Sequence, residues 1–245
     1  GSKRRKAIYP NYKANRANKT AFNRYQEFAS LEDESASMKK QFGRLAQYLN
    51  CLPITTLSVD NVEADDIMAY IANELYTEKE NRATIVSTDR DFLQLVNDRI
   101  SVWSPIKKKL YTPSLMKEEF GFSPENYLLY RTFIGDKSDN IPGIKGVGPK
   151  SLIKHFPIIC EDREITVDEI IDYADNVDKK YKVHETVLQN KETLQLNYDL
   201  MQLKEVNIHG GAKMLTLDKV KGKVDRTNTY EFKKMFMADK MYTVI

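Results

Sequence analysis

The chain has 245 residues, 41% of them hydrophobic and 30% charged, with a formal net charge of +3. Those proportions supply a substantial core and exclude a disordered chain. No run approaches the roughly 18 consecutive apolar residues of a membrane-spanning helix, and no apolar stretch follows the charged first residues as a secretory leader requires, so a soluble cytoplasmic protein is expected.

Residues 1–24 carry Lys3, Arg4, Arg5, Lys6, Lys13, Arg16, Lys19 and Arg24 without an acid, a local charge of +8. Residues 9–35 are polar, basic and aromatic with no apolar face wide enough to bury, so a helix there bridges solvent or binds something. Residues 36–50 put Met38, Phe42, Leu45, Ala46 and Leu49 on one helical stripe. Residues 54–59 read as a strand ended by Asp60-Asn61, 64–80 as a helix with Ile67, Met68, Ile71, Ala72 and Leu75 on one face, and 83–87 and 100–104 as two further strands. Strand, helix and strand so closely joined predict a βαβ unit and a parallel α/β core. A boundary near 105–112 divides a core of residues 1–106 from a helical region, 107–245. Beyond it, 113–135 reads as a helix opened by Pro113, with Leu128, Leu129 and Phe133 inward. A glycine-rich turn at 143–148 opens a helix through Phe156, and 165–204 is helical. The tail holds Lys219, Lys221 and Lys223 and ends in an amphipathic segment, 230–237. Its Phe232-Lys-Lys-Met-Phe reads as a terminal helix or a partner-docking segment.

Two cysteines far apart (Cys51, Cys160) and three histidines (His155, His184, His209) cannot build a zinc finger, and they point to a reducing compartment. Any metal must therefore be held by oxygen, as magnesium or manganese is. Residues 60–91 carry nine acids against three bases. Seven acids fall in three clusters: Glu63, Asp65 and Asp66; Asp89 and Asp91; Asp136 and Asp139. The first two follow strand ends on one edge of a parallel sheet, where ligand crevices lie. Acids at helix starts also cap amides, at about 0.3–1 kcal/mol each. Several carboxylates brought together, however, repel unless cations neutralise them. Gly143-Ile-Lys-Gly-Val-Gly-Pro-Lys150 lacks the spacing of a nucleotide-binding loop. It fits a hairpin gripping nucleic-acid backbone, or an ordinary helix–turn–helix connection.

Three blocks carry a resemblance: Val62-Glu-Ala-Asp-Asp-Ile, Ser87-Thr-Asp-Arg-Asp-Phe-Leu-Gln-Leu, and Gly135-Asp-Lys-Ser-Asp-Asn-Ile-Pro-Gly-Ile-Lys-Gly-Val-Gly-Pro-Lys. Together they resemble the signatures of the flap endonuclease / 5′-nuclease family. Tyr9-Pro-Asn-Tyr-Lys-Ala-Asn-Arg16 is similar to the entry of that family's helical arch, here about 9–35. Trp103-Ser-Pro with Lys107-Lys-Lys is most similar to the T-even phage RNase H branch. The resemblance implies a PIN-like parallel-sheet core followed by a helix-three-turn-helix at about 135–156. It implies a magnesium-dependent 5′-3′ exonuclease and flap endonuclease, acting on flapped or branched DNA and RNA–DNA hybrids in primer removal and repair. Carried over by position, Asp65, Asp66, Asp89 and Asp91 would ligate one Mg2+ with help from Glu63, and Asp136 and Asp139 a second, Mn2+ substituting. Glu63 and Asp89 would be catalytic together with Lys13 and Arg16, which would contact the scissile phosphate, and Tyr12 would stack on a displaced base. Gly143, Lys145, Gly146, Gly148 and Lys150 would hold the duplex, with a K+ ion. Expected partners are DNA and replication proteins such as a single-strand binding protein or clamp, around a monomer. The family's first strand and two further aspartates would precede Gly1, which leaves a non-catalytic DNA-structure-binding module as the alternative. A PIN-like ribonuclease fits the hairpin and the arch less well.

Overall fold

The computed structural model describes residues 3–17 and 27–241. In chain order these form helices α1 (Lys3–Ile8), α2 (Leu31–Asn50) and α3 (Ala64–Tyr70), strands β1 (Ala83–Val86), β2 (Ile100–Ser104) and β3 (Lys109–Tyr111), and helix α4 (Pro113–Phe120). They continue with α5 (Tyr127–Ile134), α6 (Pro149–His155), α7 (Val167–Asn176), α8 (Lys182–Gln189), α9 (Lys191–Met201), α10 (Gly210–Lys221) and α11 (Thr229–Ala238). Contacts divide this α/β chain into two units, Gly1–Ala17 with Asp60–His209, and Asn18–Val59 with Gly210–Ile245. Among the described residues no helix is long and apolar enough to cross a membrane.

In the first unit β1 and β2 pair in parallel, Ala83 facing Ile100 and Val86 facing Trp103. The crossover between them is a 3-10 helix, Arg90–Leu95, that buries Phe92, Leu93 and Leu95. Strand β3 then returns antiparallel through a hairpin whose Lys108 takes a left-handed φ of 52°. Strand β3 falls where a domain boundary was expected, near 105–112, and its lysines hide the apolar pattern by which strands are read. One apolar cluster joins Phe133 of α5, Leu152 of α6, Ile170 of α7, Val187 of α8 and Leu194 of α9. Each such side chain, fully buried, contributes about 1.5–3 kcal/mol. A second cluster sets Tyr12 against Leu128, Ile141, Leu200 and Met201, which fastens the basic N-terminal segment to α5 and α9.

Several sequence expectations are corrected. Residues 54–59 form no strand, because β-branched composition becomes a strand only where a neighbour supplies ladder hydrogen bonds, and most of these residues stay exposed. The helix expected over 64–80 continues from α3 as a π-turn, Ile71–Leu75, and stops before the polar run that follows. The 113–135 helix breaks at Gly121, whose φ of +80° caps α4, and restarts after Pro124 as α5. The 165–204 region divides into α7, α8 and α9, the first opened by a capping box of Thr166 and Glu169. Of the arch expected over 9–35, residues 18–26 lie outside the described residues. Residues 14–17 make one 3-10 turn, and α2 begins at the cap Ser30.

In the second unit α2 buries no side chain, so its apolar stripe is not a core face; Phe42 is 63% exposed. It is tied to the α11 end instead. Arg44 donates to both carboxylate oxygens of Asp239 at 2.7 and 2.8 Å, Tyr48 donates to Asp239 at 2.7 Å, and the Tyr48 ring meets Phe232 edge-on at 5.3 Å.

The loop between α5 and α6 rests on two glycines. A Cβ on Gly143 would lie 2.2 Å from the Ile134 carbonyl oxygen, and one on Gly135 2.4 Å from the Gly143 nitrogen. Nothing lies within 4 Å of a Cβ built on Gly146, although its φ is +83°. Gly146→Ala should therefore carry only the left-handed backbone cost, about 1–2 kcal/mol. Gly143→Ala must displace backbone and should lower the melting temperature further. Thermal denaturation of the two variants checks this, and equal shifts would contradict the close approach.

Candidate active site

The loop leaving α5 is closed by reciprocal backbone bonds between Asp136 and Ile141, 2.9 and 2.8 Å long. Asp136 Oδ1 accepts from the Ser138 amide and hydroxyl, both at 2.7 Å, so its side chain is fixed within the turn. Asp139 lies in the same turn. Its carbonyl accepts from the Lys13 amide at 2.8 Å, and its carboxylate from Tyr12 at 3.0 Å and Arg16 at 2.5 Å. The buried Asn197 of α9 donates to the carbonyls of Thr132 and Pro142, both at 2.8 Å, and so holds both ends of the loop.

The other acids reach the same basin from α3 and from the turn after β1. Arg5, only 5% exposed, is fastened by its Nε to the Leu200 carbonyl at 2.8 Å. Its fork takes both oxygens of Asp66, at 2.8 and 2.9 Å, and Nη1 also donates to Glu63. Lys13 Nζ donates to the other Glu63 oxygen at 2.5 Å and lies 3.6 Å from Asp139. From α5, Arg131 bridges Asp91 and Asp136. Asp89 caps the 3-10 helix by accepting the Asp91 amide at 2.9 Å.

Electrostatics divide the acids. For Glu63, burial raises the pKa, but the bonds and charges of Lys13 and Arg5 outweigh it and hold the carboxylate below its ordinary value. Asp136 is likewise held down by Ser138 and Arg131 against its burial. Burial pushes Asp65 up, and the neighbouring charge of Asp89 adds to this. Burial pushes Asp91 up to about 6, with Asp89 and Asp136 adding to the rise and Arg131 opposing it. Burial thus outweighs the nearby cations at Asp65 and, even against its contact with Arg131, at Asp91.

The donors are chemically suited to a hard divalent ion, being seven carboxylates with no thiolate or imidazole among them. Among the described residues, though, no three of His, Cys, Asp and Glu stand where they could enclose an ion. Arg5, Lys13 and Arg131 bridge the carboxylates instead. Tyr12 departs from its expected part, for its ring is 3% exposed in the second cluster and cannot stack on a base. Burial and the charges of Glu63 and Asp139 raise its pKa, keeping it a donor to Asp139. Arg16 is 57% exposed at the rim. Gly143, Lys145, Gly146, Gly148 and Lys150 lie together in the turn that leads into α6, with both lysines exposed and Pro149 opening the helix.

Sequence reading did not single out Arg5 or Arg131. For Arg131 a signal was present, as the one charged residue in the otherwise uncharged helix Tyr-Leu-Leu-Tyr-Arg-Thr-Phe-Ile, five positions before Asp136.

The Asp91 shift carries a sign. A carboxyl with a raised folded pKa favours folding in full below the unfolded value and loses that contribution as pH rises through about 6. Asp91→Asn should therefore gain stability relative to wild type between pH 4 and pH 7, by about 2–3 kcal/mol. Melting curves in chelator across that range measure it; a pH-independent difference would contradict the buried carboxyl.

Residues 1–121 match the family model of the 5′-3′ exonuclease N-terminal resolvase-like domain, and residues 122–223 that of the 5′-3′ exonuclease C-terminal SAM fold. A 5′-3′ exonuclease of Aquifex aeolicus is 32% identical over 178 residues, which is 68% of this chain and 54% of that protein. The thermostable DNA polymerase I of Thermus thermophilus is 33% identical over 166 residues, 67% of this chain and 19% of the polymerase. The chain thus spans about half the length of the first relative and about a fifth of the second. The T5 D15 protein, in a crystal structure obtained with metal ions, superposes with a TM-score of 0.64 at 25% identity, covering 97% of this chain and 80% of that one. With both domain matches adjoining along the chain, and with the α/β core and helical region that they imply both in place, the protein belongs to the 5′-3′ exonuclease family.

Proposed function

We propose that the chain is a structure-specific 5′ nuclease that hydrolyses phosphodiester bonds at 5′ ends and 5′ flaps of duplex DNA and RNA–DNA hybrids, in primer removal and repair. One observation carries the reading. Carboxylates from three separate stretches of sequence meet in one basin, and the cations at its rim, Lys13 and Arg16, belong to the most basic segment of the chain.

Two divalent ions, Mg2+ or Mn2+, would supply an activated water and stabilise the leaving oxygen. Asp65, Asp66, Asp89 and Asp91 would hold one, assisted by Glu63, and Asp136 and Asp139 the other. Lys13 and Arg16 would grip the scissile phosphate. Both now sit on acids, so a substrate phosphate competes for them, and each cation drawn to it frees a carboxylate. The open backbone of Gly146 and Gly148, flanked by Lys145 and Lys150, would hold the duplex without reading its sequence, with K+ as a candidate ion there.

A second reading, DNA-structure binding without cleavage, is favoured by one observation: protein cations bridge the acids. Incubating the chain with a 5′-flap duplex, a blunt duplex and single-stranded RNA, with and without Mg2+, separates the two. Metal-dependent flap cleavage supports the nuclease, while tight flap binding without cleavage supports the binder.

Asp89→Asn should reduce cleavage to background yet leave flap affinity within about threefold, since phosphate contacts carry binding. Undiminished cleavage by that variant rejects the metal role. Lys150→Ala should weaken binding to any duplex sequence alike and lower the salt dependence by about one unit of slope. A loss confined to certain sequences would contradict backbone gripping.

A further inference from the structure

Among the cations in the basin, Arg131, like Arg5, is a buried guanidinium shared by two acids. Arg16 lies largely exposed at the rim, whereas the Arg131 side chain is 10% exposed on α5, a helix whose Leu128, Leu129 and Phe133 are in the core. Its Nε donates to Asp91 Oδ1 at 3.0 Å, with Nη2 2.8 Å from the same oxygen, and Nη2 donates to Asp136 Oδ2 at 2.6 Å. A single guanidinium therefore joins an acid of the 3-10 helix after β1 to an acid of the loop after α5. Both partners are fixed from behind. The Asp91 carbonyl accepts from Gln94 at 2.8 Å, and Gln94 also donates to the Met201 carbonyl at 3.0 Å. Asp136 is held by Ser138. A planar fork with rigid partners sets a distance, which a flexible ammonium cannot do.

We infer that Arg131 is a positioning residue: it replaces a solvent cation between Asp91 and Asp136, fixes their separation, and so limits how much metal charge that side of the basin takes up. The inference rests on the nuclease reading only in supposing that the basin takes a divalent ion. Without Arg131 the two carboxylates are buried together unneutralised, and they attract an ion from solution into the gap that the guanidinium filled. That ion would sit in the wrong place for chemistry.

The test uses the full chain, Mn2+ without DNA, and the variants Arg131→Met and Arg131→Lys. Mn2+ affinity is read from the electron paramagnetic resonance of the free ion, and kcat and KM are read on a flap duplex. Arg131→Met should bind Mn2+ about tenfold or more tightly while its kcat falls. Arg131→Lys, keeping the charge but not the fork, should return Mn2+ affinity to near wild type without restoring kcat. Structural damage alone would weaken metal binding and cleavage together, so unchanged or weaker Mn2+ binding by Arg131→Met overturns the inference. Restoration of kcat by lysine overturns the geometric part. Should Arg131→Met not fold, Arg131→Met/Asp136→Asn removes the repulsion and should fold; failure of that double variant as well also overturns the inference. A wild-type chain that cleaves no flap, with the Mn2+ pattern intact, rejects the nuclease reading and leaves Arg131 in its place.

Discussion

Carboxylates within a few ångströms of one another repel, and in a partly dry basin that repulsion must be met by positive charge. Here the chain meets it from within. Arg5 spans Glu63 and Asp66, Lys13 spans Glu63 and Asp139, and Arg131 spans Asp91 and Asp136. Each bridge joins parts of the chain that helix and strand geometry alone would not fasten. The first ties α1 to α3, the second ties the basic segment to α3 and to the loop after α5, and the third ties the 3-10 helix after β1 to that same loop. The acids are therefore the anchors of the basin's walls.

The compensation is uneven, and the unevenness has a direction. Where an arginine or lysine is in contact, as at Glu63 and Asp136, the carboxylate stays ionised despite burial. At Asp65, and at Asp91 even against the contact of Arg131, burial with a neighbouring acid prevails. Buried charge of this sort is costly unless a partner is supplied, and Asp65 is held up by burial and by the neighbouring charges of Asp89 and Glu63. Arg16 is largely exposed beside Asp139, while Arg5 and Arg131 are buried in packed helices.

Backbone fit supports this arrangement. The contact of Gly143 with Ile134 and the left-handed Gly135 bring both ends of the 135–143 loop together, and Asn197 pins them from α9. Only then do Asp136 and Asp139 share a turn that faces Tyr12, Lys13 and Arg16. The role of the glycines was legible in the residue order, since three in six positions before Pro149 announce a tight turn. Which glycine could not tolerate a Cβ was not legible, because that depends on a carbonyl nine positions away.

Local rules carried far along the chain. The strands at 83–86 and 100–104, Pro113 and Pro149 at helix starts, and the grouping of acids in three short stretches all follow from side-chain type and spacing, which act over a few residues. The same rules erred where burial decided. A β-branched run at 54–59 stays outside the sheet, the α2 stripe stays exposed, and Tyr12 is core rather than platform. Composition by itself determined that an acid-rich basin would need cations and that the N-terminal segment had them to give. Only the tertiary structure decided that Arg5 would meet Asp66 across 61 positions and Arg131 would meet Asp91 across 40, because Coulomb attraction depends on separation in space and takes no account of separation along the chain.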